Sequence, residues 1–209
     1  MNFSRKSSLA VVASAAPLLV MLAACGSDSD TASTTTTTSS STEADPFSVP
    51  ETPTADSTCP TAAPAEGGAP EWTLPGSTGS VAVTGSTDAA APRVDVQAPF
   101  SVTETQVQTL KPGDGPVVAE NATVLVCYMG VNGRDGTVFD SSYERGIPVD
   151  FPLDGVVKGF QKAIAGQKVG STVGVAMNPA DGYPDGEPRA GIQPGDSLVF
   201  AIKILDVLN

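Results

Sequence analysis

The chain has 209 residues, and its 23 acidic against 11 basic side chains give a net charge of −12. That balance argues against nucleic-acid binding, which needs clustered Lys and Arg, and suits a soluble, exported domain kept monomeric by self-repulsion. The sequence contains no histidine, so Ser-His-Asp and Cys-His nucleophilic sites and His-containing zinc sites are excluded.

The first segment reads as targeting sequence. Arg5 and Lys6 precede an apolar stretch from Leu9 to Leu22, of h-region length and short for a membrane span. It runs into Leu22-Ala23-Ala24-Cys25-Gly26, which resembles a bacterial lipobox. The resemblance implies a leader over residues 1–25, a lipid on Cys25, and a protein anchored on the extracytoplasmic side of the cell membrane. The alternative is an ordinary signal peptide cut near an Ala, with Cys25 incidental. Residues 26–70 are rich in Ser, Thr, Pro and Gly. They cannot bury enough apolar area to offset chain entropy and read as a disordered tether. Two further cysteines, Cys59 and Cys127, have two open readings. They form a disulfide, or Cys127 is a small buried residue and Cys59 a free thiol in a mobile arm.

Residues 71–101 are expected to form a partly ordered N-terminal extension. Val94 and Val96 alternate as in a short strand, and the lone Trp72 is expected to pack the extension onto the domain. Residues 102–209 form the main domain. Val102 to Leu110 reads as a strand, stopped by the turn cluster at residues 111–115. In Thr123 to Val131, Val124, Val126 and Tyr128 face one way and Leu125, Cys127 and Met129 the other. Short strands follow at Thr137 to Asp140 and through Val149, Phe151 and Leu153. The period then changes: Val156, Val157, Phe160 and Ile164 fall at helical spacing, with Gly166 as the stop. Alternation returns at Val173, Val175 and Met177. After a loop over 179–196, the terminal strand puts Leu198, Phe200, Ile202 and Ile204 on one face. The pattern is α+β, an antiparallel sheet with one short helix on a face.

Between Tyr128 and Phe160 several elements recur in order: Tyr128-Met-Gly, Phe139-Asp140-Ser141-Ser142, Arg145, and Val156-Val157-Lys-Gly159-Phe160. Together with Tyr183 in the late loop, they resemble the FKBP-type peptidyl-prolyl cis-trans isomerases over about residues 102–208. The resemblance implies a curled half-barrel sheet wrapped around the helix, an isomerase without a cofactor, and proline-containing polypeptides as partners. Macrolides of the tacrolimus and rapamycin type are the implied small-molecule ligands. It places Tyr128, Phe139, Asp140, Arg145, Val156, Val157, Phe160, Tyr183, Ile192 and Phe200 at the substrate pocket. Asp140, Tyr128, Tyr183 and Phe160 take the catalytic roles, and the Val157 N–H is the implied donor to the substrate carbonyl.

Two departures matter. Phe160 stands where the best-known members carry Trp, and Val149 where members often carry Phe. Smaller rings predict weaker macrolide affinity and turnover, and keep open the alternative of a peptide-binding chaperone or adaptor with little turnover. The acids Asp181, Asp185 and Glu187 lack EF-hand spacing, so calcium is not expected there.

Overall fold

The computed structural model describes residues 58–64 and 68–208. The expected leader, with Cys25, and most of the expected tether lie outside the described residues. The elements in order are β1 (Trp72–Pro75), β2 (Thr78–Thr84), β3 (Arg93–Ser101), β4 (Gln106–Lys111), β5 (Thr123–Asn132), β6 (Val138–Ser141), α1 (Ser142–Arg145), β7 (Val149–Pro152), α2 (Lys158–Ile164), β8 (Thr172–Met177) and β9 (Leu198–Leu208).

β5 organises the main sheet. It pairs antiparallel with β9 along its full length, with a bulge between Leu125 and Val126. On its other side it forks. Thr123 to Val126 pair with β7, and Met129 to Val131 pair with β6. β8 and β4 extend the sheet beyond β9, giving the order β4-β8-β9-β5-β6. All pairs are antiparallel, as the alternating sequence requires for a sheet with two different faces.

The alternation sorts the side chains as read from sequence. Val124, Val126 and Tyr128 of β5, with Leu198, Phe200, Ile202 and Ile204 of β9, join Val173, Val175 and Met177 of β8 in one core. Helix α2 closes that core with Phe160, Ala163 and Ile164. Each fully buried side chain of this size contributes about 1.5–3 kcal/mol. The close seat of α2 depends on Gly159, where a Cβ would lie 2.8 Å from the Met177 side chain. The helix stops at Ala165, and Gly166 follows at φ +79°, a conformation that glycine adopts without steric cost.

The sequence-based bounds need three corrections. The expected strand from Val102 to Leu110 begins only at Gln106, because the chain bends over residues 102–105, where the Thr105 hydroxyl donates to Asp181. The helix is shorter than the periodicity, because Val156 and Val157 lie in the turn that leads into it. The 71–101 extension is a complete three-stranded antiparallel sheet, β1-β2-β3. Its Val81, Val83 and Phe100 pack on Ala176, Val199 and Ala201, the small residues on the back of β8 and β9. Trp72 lies over Gly174, where a Cβ would be 2.8 Å from the indole ring. The domain thus has three layers: helix, main sheet and N-terminal sheet.

The tether also ends earlier than composition indicated. Cys59 and Cys127 form a disulfide. The Cys59 N–H donates to the Gly146 carbonyl, and Ala62 accepts from the Ala91 N–H. Residues 58–62 are therefore a strap bound to the outer face of β5, because one covalent bond and two backbone hydrogen bonds outweigh their weak local preferences. The strap shares a small apolar cluster with Ala91, Tyr143 and Cys127.

Candidate active site

The curl of the sheet leaves a cavity of about 360 Å³ between β5, β6, β7, α2 and the late loop. Aromatic rings dominate its wall. Tyr128 comes from β5, Phe139 from β6, Phe151 from β7, Phe160 from α2, Phe200 from β9, and Tyr183 from the late loop. Phe160 sits at the centre, with ring centroids 6.0 Å from Tyr128, 5.5 Å from Phe151 and 5.5 Å from Phe200. These contacts are edge-on, the geometry that places a positive ring edge on a negative face. Phe139 meets Phe200 the same way at 5.5 Å. Gly130 permits that meeting, because a Cβ there would lie 2.6 Å from Phe139 and 2.8 Å from Phe200. Gly155, Val156 and Val157 complete the wall. Val157 is the N-cap of α2, and its carbonyl accepts from the Phe160 and Gln161 N–H groups.

The polar part is built by one turn of helix. Ser141 caps α1, its hydroxyl accepting from the Glu144 N–H, and Gly146 closes the other end. That turn brings Arg145 back over Asp140. Arg145 Nη1 donates to one carboxylate oxygen at 2.6 Å, and the Tyr128 hydroxyl donates to the other. Arg145 Nη2 lies 3.4 Å from the Tyr128 oxygen, which closes a three-membered network. Both charged side chains are about half exposed, so solvent screens the pair and its value for stability is small.

The titration behaviour follows. Burial pushes the Tyr128 hydroxyl up to about 12, and its donation to Asp140 adds to that, so it remains a donor at any physiological pH. For Asp140, burial acts upward, but the hydrogen bonds from Tyr128 and Arg145 outweigh it and hold the carboxyl below its ordinary range. Tyr183 is raised by burial and then by the negative charges of Glu187 and Asp140.

Of the residues expected at the pocket, Tyr128, Phe139, Asp140, Val156, Val157, Phe160, Tyr183 and Phe200 line one cavity. Ile192 does not. It is buried in the core with Phe200 rather than on the wall, because its segment pairs back on Glu187 through two backbone hydrogen bonds. Arg145 also lies off the wall and reaches the site through Asp140. Phe151 was missed as a wall residue. It shares a strand face with Val149, so the wall expected to be short at Val149 is filled by the ring at Phe151. The alternation through Val149, Phe151 and Leu153 carried that signal.

A second network was also missed. Buried Asp196 accepts from Asn132 Nδ2, Arg134 Nε and the Gln193 N–H, and ties the late loop to the β5–β6 turn. Asp181 is held by Lys162 and Thr105, and Glu187 accepts from the Arg189 N–H. Among the described residues, no group of three or more Cys, Asp or Glu side chains is placed to hold a metal ion.

The hollow thus sets apolar ring walls beside a charged, hydrogen-bonding edge of tyrosine, aspartate and arginine. The chain is similar to known proteins. The sequence profile described as FKBP-type peptidyl-prolyl cis-trans isomerase matches residues 115–205. A probable FKBP-type peptidyl-prolyl cis-trans isomerase of Haemophilus influenzae is 39% identical over 95 residues, covering 46% of this chain and 39% of that protein. The FKBP-type 22 kDa peptidyl-prolyl cis-trans isomerase of Escherichia coli is 36% identical over 103 residues, covering 49% and 50%. The FK506-binding protein of Streptomyces anulatus is 32% identical over 119 residues, covering 56% of this chain and 96% of that one. The chain thus spans half or less of the first two relatives and nearly all of the third. It belongs to the FKBP-type peptidyl-prolyl cis-trans isomerase family.

Proposed function

We propose that this protein catalyses cis-trans isomerisation at X-Pro bonds of exported chains, acting as a monomer anchored outside the cell membrane by a lipid on Cys25. The observation that carries the catalytic reading is the junction of the ring-lined cavity with the Tyr128–Asp140–Arg145 network. The lipobox-like Leu22-Ala23-Ala24-Cys25 supports the anchor, and the net charge of −12 supports the monomer.

The chemistry needs no nucleophile. Amide resonance sets a barrier of about 18–20 kcal/mol to rotation. Bringing exchange from roughly a minute to milliseconds takes a gain of about 10⁴–10⁵, or roughly 6–7 kcal/mol. The twisted amide has lost conjugation, so its carbonyl is less polar and its nitrogen more pyramidal. An apolar hollow favours that state over the planar, more dipolar one. The proline ring sits on Phe160 between Tyr128, Phe151 and Phe200. The Val157 N–H, outside the bonding of α2 as an N-cap group, holds the substrate carbonyl. Asp140 stays ionised and sets the local field, and it transfers no proton.

The test is a protease-coupled assay on a proline peptide with the mature chain. Turnover that falls in Asp140→Ala supports the enzyme. Binding without turnover supports the peptide-binding chaperone, a reading favoured by the smaller ring at Phe160. For the anchor, labelled fatty acid enters the protein and is lost in Cys25→Ala. Incorporation that survives the substitution removes that part of the proposal.

A further inference from the structure

We propose that Ser142 is a positioning residue for the reaction, holding the Tyr128 hydroxyl on Asp140 through the Tyr128 backbone. This rests on the isomerase reading of the cavity. The reason lies in the fork of β5. Its pairing with β7 ends at Val126, and its pairing with β6 begins at Met129. Tyr128 therefore faces a gap on that side of the sheet, where a ladder would otherwise satisfy its backbone. Ser142 fills the gap. Its hydroxyl accepts from the Tyr128 N–H at 2.8 Å and donates to the Tyr128 carbonyl at 3.3 Å, so one side chain replaces both missing ladder bonds. Ser142 is fully buried, and the disulfide sulfur of Cys59 lies 3.4 Å from its oxygen.

The placement matters because of what stands on either side in sequence. Asp140 precedes Ser142 at the end of β6, and Arg145 follows it in α1. Ser142 is thus a splint between the strand that carries the tyrosine and the segment that carries both of its partners. Without it, the buried N–H and carbonyl of Tyr128 lack partners, and the chain must shift or admit water to satisfy them. A shift at Tyr128 separates its hydroxyl from the Asp140 carboxylate. Small misplacements of this kind lower rates by roughly ten- to a hundredfold.

The experiment compares wild type, Ser142→Ala, Tyr128→Phe and the double variant. Two readouts are taken: kcat/KM on a proline peptide, and the Asp140 carboxyl titration followed by carbon NMR. Ser142→Ala is expected to lower kcat/KM about tenfold, mainly through kcat, and to move the Asp140 titration upward. In the Tyr128→Phe background, it is expected to change turnover less than about twofold, because the hydroxyl it positions is gone. Losses of equal size in both backgrounds overturn the proposal. So does an Asp140 titration that does not move in Ser142→Ala, since a purely structural serine lowers stability without moving it. If wild type shows no turnover, the isomerase reading fails while the titration still decides what Ser142 does. If Ser142→Ala does not fold, hydrogen exchange in wild type decides. A Tyr128 amide as protected as those paired with β9 supports the splint, and one exchanging like an open edge amide overturns it.

Discussion

Replacing Phe160 by Ala tests the floor of the cavity. The ring is 5% exposed and meets three other rings edge-on. A Phe→Ala change in a closed core costs about 3–5 kcal/mol. Here the vacated space opens into the existing cavity and can take water, so the loss is expected near the lower end, at about 3 kcal/mol. The effect on the reaction is separable. A proline ring offers three methylenes, and at about 0.8 kcal/mol per buried CH₂ their full burial contributes roughly 2.4 kcal/mol. Withdrawing the floor exposes about half of that to water, or roughly 1.2 kcal/mol, which is close to a tenfold fall in kcat/KM. Urea denaturation gives the first quantity, and the peptide assay, run where the variant is shown to be folded, gives the second. A folded Phe160→Ala protein with kcat/KM within twofold of wild type refutes the idea that this ring supports the substrate.

Three further outcomes follow from the geometry. Asp140 is held below its ordinary carboxyl value, so its contribution is present above about pH 4 and is lost as pH falls through its folded titration. With no histidine in the chain, turnover and stability are expected to be flat between about pH 5 and 8. They decline below about pH 4, and Asp140→Asn removes part of that acid limb in a pH series of denaturation curves. Gly130→Ala forces a methyl against Phe139 and Phe200. It should cost about 1–3 kcal/mol in thermal denaturation and lower turnover without touching a polar group, and an unchanged protein contradicts the packing described. The disulfide closes a 68-residue separation, for which chain entropy gives about 4 kcal/mol. A loss under about 1 kcal/mol on reduction, read from urea curves with and without reductant, shows that the strap is not a structural tie.

The strands and α2 were legible because one face of each is buried. Val124, Val126 and Tyr128, or Leu198 to Ile204, cannot alternate otherwise without exposing apolar area. The cavity residues were legible mostly as a constellation, since a single phenylalanine on a strand reads as core. What escaped notice depends on contacts between distant segments. The N-terminal sheet looked irregular because its apolar side chains are needed only where β8 and β9 present Ala176, Val199 and Ala201. The strap around Cys59 has only weak local preferences, and its bond to Cys127 and two backbone hydrogen bonds fix it. Phe151 was visible in the alternation, but its role required knowing that β7 borders the hollow. Ile192 went the other way, drawn into the core by its pairing with Glu187.

The most direct measurement of the central claim is exchange NMR on a proline peptide with a substoichiometric amount of protein, with and without an apolar proline mimic filling the cavity. Catalysed cis-trans exchange that stops when the cavity is filled, with shifts confined to Tyr128, Phe139, Asp140, Phe160 and Tyr183, is the expected result. Exchange that persists with the cavity filled, or a peptide that binds there while its two isomers interconvert at the uncatalysed rate, contradicts the account.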